Sequence, residues 1–229
     1  DPGEIGSQDG SRSVSDVRPS AASGRRSARL VREWLAGARA ALRAEAPANM
    51  VLLRGFSRRP EWPTLDETYG LRAGIVTSCP LARGVARLAG IEAVPAGADA
   101  DTILTAARRT LAHCDLAVVH LSPPEGDSAI CGPEAAADWI ERADASLTVL
   151  RDMGADVLTV AGTRTLLPDG TPSWHPVPVA LWSSRCRPDS VTAMGERACA
   201  HGTLGARLRT TQILPLMLAN ALRLRMYGA

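Results

Sequence analysis

Lysine is absent from this chain: all 26 basic residues are arginine. A nucleotide-binding phosphate loop needs a lysine after its glycines, so that class is excluded. Aromatic residues make up 3% of the sequence, with one phenylalanine, too few for a platform that stacks nucleic-acid bases. The Gly-x-Gly-x-x-Gly dinucleotide fingerprint, the His-Glu-x-x-His zinc motif and the Gly-x-Ser-x-Gly nucleophile elbow are all missing. No run of 18 or more apolar residues occurs, so no membrane span is expected. No basic segment leads into an apolar stretch, so no secretory signal is expected either. The cysteines at 79, 114, 131, 186 and 199 form no Cys-x-x-Cys pair. An odd count in a chain this long points to reduced thiols and a cytoplasmic location.

What is present is ordinary for a globular protein: 45% hydrophobic and 22% charged residues over 229 positions. That length allows one sizeable domain, or one domain plus part of a second. Twenty-six basic residues stand against 24 acidic ones, well mixed, which is not a nucleic-acid surface. The arginines themselves offer planar forks suited to phosphate or carboxylate. Codon bias of a GC-rich genome is the plainer account of the missing lysine.

Residues 1–25 are rich in Gly, Ser and Pro and read as a flexible entry segment. A helical stripe follows over 29–42, with Leu30, Trp34, Leu35, Ala38 and Leu42 on one face, and Pro47 closes it. Short apolar runs at 50–53, 73–77, 116–120 and 157–161 read as buried strands. The 116–119 run is continuous rather than alternating, as in a central parallel strand. The run 177–182 is interrupted by Pro178 and suits an edge. Pro80 opens a helix whose apolar face is Leu81, Val85 and Leu88. Asp101-Thr102 opens another through Leu111, with acidic charge at its positive end. A long amphipathic helix is expected over 133–153, and a last one over 210–224, kinked or started late by Pro215. Segments 56–69 and 90–100 read as loop.

Strand and helix alternate through most of the chain, which predicts an α/β fold with a mostly parallel sheet and helices on both faces. Such sheets place function in the loops beyond the strands' carboxyl ends. His120 ends a strand, with Glu125 and Asp127 just beyond it. Two readings stay open: a metal or acid–base site, or a histidine that only shapes its loop. The same pair of readings holds for His175, between Trp174 and Pro176. Arg54 follows a strand directly, and Arg83 lies in the first turns of a helix, where free N–H groups already attract anions. Each is an anion-binding candidate or a surface ion-pair partner. His113 and His201 read as helix-end residues.

A set of segments then carries a resemblance. They are Asn49-Met-Val-Leu-Leu-Arg-Gly55, Leu81-Ala-Arg-Gly-Val-Ala-Arg-Leu-Ala-Gly90, Asp101-Thr102, Asp115-Leu-Ala-Val-Val-His120, Ile140-Glu-Arg-Ala-Asp144, Pro176-Val-Pro-Val179, Gly202-Thr-Leu-Gly205 and Tyr227-Gly-Ala229. In order and spacing the chain resembles the archaeal-type, cofactor-independent phosphoglycerate mutases, relatives of the alkaline phosphatases. The resemblance covers nearly all of this chain but only the later half of a family member. It implies an alkaline-phosphatase-like core over 76–229, with 1–75 the tail of an inserted smaller domain and the return to the core. It implies that the first metal-binding aspartate and the Ser/Thr nucleophile belong to an earlier half, absent here or supplied by another polypeptide.

The departures bear on chemistry. Where the family has a metal-binding aspartate and, four residues on, a histidine, this chain has Glu125 and Ala129. Where it has Gly-Asp-His, this chain has Gly162-Thr163-Arg164. Where a further histidine is expected, Pro172 stands. No metal and no other cofactor is therefore expected. The resemblance implies a divergent protein, of specialised metabolism, that binds a small phosphorylated or carboxylated substrate. Arg54, Arg83 and His175 would contact that substrate, and His120, Glu125 and Arg164 would stand at the reacting end. Two alternatives are a non-catalytic partner or scaffold subunit, and a metal-dependent mutase completed by the missing half. No nucleic-acid or membrane partner is expected.

Overall fold

A computed structural model describes residues 17–48, 50–53, 55–97, 99–122, 128–167, 171–205 and 208–224. The chain divides into two compact units, Asp1–Arg59 and Pro60–Ala229.

In the first unit, α1 (Arg25–Ala41) realises the expected helical stripe. Ala28 is its buried residue, while Leu30 and Trp34 are exposed. The segment 50–53 is not a strand; it is irregular, and Leu52 is 60% exposed. An apolar run of four specifies a strand only where a ladder partner exists, and none pairs with it among the described residues.

The second unit holds the chemistry-bearing positions other than Arg54. Its centre is a parallel sheet of β1 (Ala73–Thr77), β2 (Glu92–Pro95) and β3 (Leu116–Val119), in the order β2-β1-β3. Gly74 is in register with both Glu92 and Ala117. Helix α3 (Pro80–Leu88) connects β1 to β2, and α4 (Ala100–His113) connects β2 to β3. The two crossovers run in opposite directions across the sheet. Because such crossovers are right-handed, the helices fall on opposite faces. The core lies under α4, where fully buried Val76 packs with Ile103 and Ala107. Buried Thr110 satisfies its hydroxyl by donating to Ala106 O at 2.9 Å, since an unpaired buried hydroxyl would be costly.

The helix starts follow capping rules. Pro80 occupies the first position of α3. Asp99 caps α4 by accepting from Thr102 N–H at 2.9 Å. The expected apolar face of α3 is only partly used: Leu81 and Val85 are exposed, and Ala86 is its buried residue. Two segments read as loop are ordered elements. Residues 90–100 contain β2, and 56–69 contain α2 (Leu65–Tyr69), which starts with a reciprocal Thr64–Glu67 capping box.

Beyond β3, the long expected helix is two: α5 (Ser128–Ala145) and α6 (Leu147–Arg151), broken at Ser146. Strand β4 (Val157–Ala161) then pairs antiparallel with β7 (Val179–Ser183). Between them lies the small hairpin of β5 (Thr165–Leu166) and β6 (Pro172–Ser173). Pro178 sits just outside β7, which pairs with β4 alone, as suits an edge strand. Helix α7 (Glu196–Cys199) is a single turn. The last helix starts late, with a 3-10 turn over Thr210–Gln212 leading into α8 (Ile213–Asn220). No described helix is long and apolar enough to cross a membrane.

Candidate functional site

The carboxyl ends of β1 and β3 bring Thr77 and His120 together. Thr77, the last residue of β1, is fully buried. Its hydroxyl oxygen accepts from Cys79 N–H at 3.0 Å and lies 2.9 Å from His120 Nδ1. The hydroxyl donates to Nδ1 or accepts from it according to the ring's tautomer; in both cases the imidazole orientation is fixed. The backbone of His120 is held by donation from its N–H to Val76 O at 3.0 Å. Sequence reasoning found His120 but missed Thr77, whose signal was a hydroxyl at the end of a wholly apolar strand.

Cys79 then caps α3, and Arg83 stands in that helix's first turns, half-buried. Among the described residues no carboxylate pairs with Arg83. Pro80 has no N–H to offer, so the free donors at this helix start begin at Leu81. Strand β4 ends at Ala161, followed by Gly162-Thr163-Arg164. Gly162 donates its N–H to Pro178 O at 3.0 Å. A Cβ there would stand 3.3 Å from Val177 Cβ, so the close approach to the β7 entry favours glycine. Arg164 is exposed in the turn before β5. His175 is exposed too; its ring stacks on Trp174 with centroids 4.5 Å apart, and Nδ1 lies 2.6 Å from Ser173 Oγ. Arg54 and Glu125 lie outside the described residues.

The positions where metal ligands would be sought do not suit a two-metal centre. Thr163, Arg164 and Pro172 supply no carboxylate and no imidazole, and Ala129 has no donor atom. A guanidinium can balance an anion's charge, but it cannot ligate a divalent ion.

Beside this strand end opens a cleft of about 1440 Å³, lined by β3, β4, α5, α6 and α8. Its walls include two strand edges that are unpaired among the described residues. On β3, Leu116 and His120 donate their N–H groups toward the β1 side, so Ala117 and Val119 turn theirs the other way. On β4, the Gly162–Pro178 bond sets the alternation with β7, so Val157, Thr159 and Ala161 face away from β7. Thr159 Oγ1 is buried without a hydrogen-bond partner among the described residues.

No family model matches the chain. Curated relatives do. The chain is 31% identical over 206 residues to a probable 2,3-bisphosphoglycerate-independent phosphoglycerate mutase of a Thermotoga species, covering 90% of this chain and 51% of that protein. It is 32% identical over 209 residues to the protein of the same description from Aquifex aeolicus, covering 88% and 50%. Among solved structures, a Pyrococcus horikoshii protein superposes with a TM-score of 0.68 at 25% identity, over 73% of this chain and 54% of that one. A cofactor-independent phosphoglycerate mutase from Thermoplasma acidophilum superposes with a TM-score of 0.56 at 18% identity, over 90% and 55%, a likeness of fold.

Parallel strands with crossover helices, an antiparallel ladder beside them and the strand-end site define an α/β protein of the alkaline-phosphatase-like class. Within that class the chain is a divergent homologue of the C-terminal part of the cofactor-independent phosphoglycerate mutases. It spans about half the length of the curated relatives it matches, and its metal site is degenerate.

Proposed function

We propose that this protein binds a small phosphorylated or carboxylated molecule through arginines at the carboxyl end of its parallel sheet, without a two-metal centre. The observation that carries this reading is Arg83: a half-buried guanidinium in the first turns of α3, with no carboxylate partner among the described residues, beside the strand ends that hold Thr77 and His120. A guanidinium there adds a bidentate fork to the helix start's own attraction for anions. In this reading His175 adds a contact to the ligand. Arg164 restores positive charge where the family would place metal. His120, oriented by Thr77, exchanges a proton with the ligand. The free thiols of Cys79, Cys114, Cys186 and Cys199 fit a reducing cytoplasm.

Binding of 3-phosphoglycerate followed by calorimetry tests this. Arg83→Ala and Arg164→Ala should each weaken binding by about tenfold to a hundredfold, the loss of one charge-assisted hydrogen-bonding group. Unchanged binding in both variants, or mutase turnover that depends on added manganese, would overturn it.

A second reading, a partner subunit, is favoured by a different observation. The free edges of β3 and β4 line one cleft, and the chain spans half of its relatives' length. A strand from a separate polypeptide carrying the remainder of the family fold would satisfy both edges at the usual spacing of about 4.8 Å. Hydrogen exchange with such a polypeptide added should slow at Ala117, Val119, Val157, Thr159 and Ala161 and leave β2 unchanged. Exchange that is already slow there in the isolated chain removes the reading.

A further inference from the structure

At the opposite, amino end of the parallel sheet, three side chains with metal-binding chemistry converge. Glu92 opens β2, His113 closes α4, and Cys114 follows it. Their ligating atoms all lie within 4.8 Å of one another. The topology brings them together: α4 runs back along the sheet, so its last residues return to the level where Gly74 pairs with Glu92. Gly74 leaves room there. A Cβ on it would stand 2.4 Å from Thr110 Cγ2 and 3.6 Å from Cys114 Sγ.

The hydrogen bonds of His113 make the arrangement specific. Its Nδ1 lies 2.8 Å from Arg109 O. A carbonyl can only accept, so Nδ1 carries a proton. In the neutral ring, Nε2 then presents a lone pair, and it faces Glu92 Oε2 at 3.4 Å. Two lone pairs facing each other call for a proton or a cation between them. A backbone carbonyl holding the far ring nitrogen is also the outer-shell contact that metal-binding histidines use to fix their tautomer. Cys114 sits beside this pair, nearly buried at 9% exposure.

We propose that Glu92, His113 and Cys114 form a zinc site that ties the end of α4 to β2. One sulfur, one nitrogen and one oxygen suit zinc and disfavour magnesium or calcium, which take oxygen ligands. Bonds of about 2.0–2.3 Å in a tetrahedron set the ligand atoms about 3.5 Å apart. The His113–Glu92 pair already meets that distance. The remaining pairs, within 4.8 Å, close by up to roughly an ångström through small rotations of the exposed Glu92 and His113 side chains. On binding, the Cys114 thiol releases its proton to solvent and its sulfur bonds the metal; a water fills the fourth position. The site is independent of the anion site at the other end of the strands.

Cobalt titrated into the reduced full chain, as a spectroscopic stand-in for zinc, tests the proposal. One equivalent should bind with a thiolate-to-cobalt charge-transfer band, which zinc then displaces. Cys114→Ser should abolish the band, and Cys79→Ser should leave it intact. Glu92→Gln, at an exposed position that keeps the fold, should weaken zinc binding by about tenfold to a hundredfold. Absence of the band, its survival in Cys114→Ser, or unchanged affinity in Glu92→Gln would each overturn the assignment.

Discussion

The parallel and antiparallel ladders of this protein differ in how completely they are packed. In the parallel ladder every residue of β1 is buried, and Val76, Ile103 and Ala107 form a closed core. In the antiparallel ladder β4 is half-buried over 157–160 and exposed at Ala161, and among the described residues its outer edge is unpaired and a hydroxyl inside it has no partner. The first region closes a core around β1, while its half-buried member β3 keeps an open outer edge among the described residues. The second presents backbone donors and acceptors to a cleft. A strand with a row of unpaired edge groups is a template for another strand, so the contrast separates a ladder closed around a buried central strand from one whose strand β4 is at most half-buried.

Truncation should expose that contrast most strongly. Ile103→Ala, inside the closed core, should cost about 2–5 kcal/mol in urea unfolding, from lost transfer energy plus the cavity. Leu158→Ala, on the half-buried β4, should cost less, because little packing surrounds the deleted atoms. Equal losses would break the distinction.

A smaller effect is expected at Asp115, which ties the start of β3 to the end of the described chain. Its carboxylate accepts from Arg223 Nη1 at 2.8 Å and from Arg72 N–H at 3.0 Å. The Arg223 hydrogen bond first, then the Arg72 N–H, hold its pKa below the usual carboxylate range. A depressed folded-state pKa stabilises the fold fully above the unfolded value of about 3.9, and that contribution is lost as pH falls through the folded value. Asp115→Asn should therefore lower stability at pH 7 by about 1 kcal/mol, with the half-exposed arginine limiting the effect. The deficit relative to wild type should shrink and vanish as pH falls through the lowered folded-state value. A deficit that persists in acid would show that packing, not charge, is at stake.

The smallest effect is expected at Thr159. Thr159→Val removes an unsatisfied hydroxyl at nearly constant shape, so the isolated chain should be unchanged or gain up to about 1 kcal/mol. Clear destabilisation would mean that the hydroxyl has a partner in solution, and would weaken the case for an uncompleted edge.

How much of this was legible depended on how local the determining interactions are. The continuous apolar run at 116–119 and the proline at the start of α3 announced their elements directly. The capping box at Thr64 and Glu67 was equally local, but the prolines at 60 and 63 masked it under a loop reading. Strand β2 carried no signal of its own. Glu92-Ala-Val-Pro95 has neither alternation nor length, and it is extended because β1 offers it a ladder. At the site, His120 and Arg83 could be picked out by position. The buried Thr77 that orients His120 lies 43 residues away in sequence and could not.

The sequence by itself determined the α/β class, the family likeness and the loss of metal-ligand chemistry, because these follow from which residue types stand at which spacing. Tertiary structure alone decided the orientation of His120 by Thr77, the meeting of Glu92 with His113 and Cys114, and the two open edges beside one cleft. Each of these depends on strand order and register, and hydrogen-bond pairing between distant segments settles those.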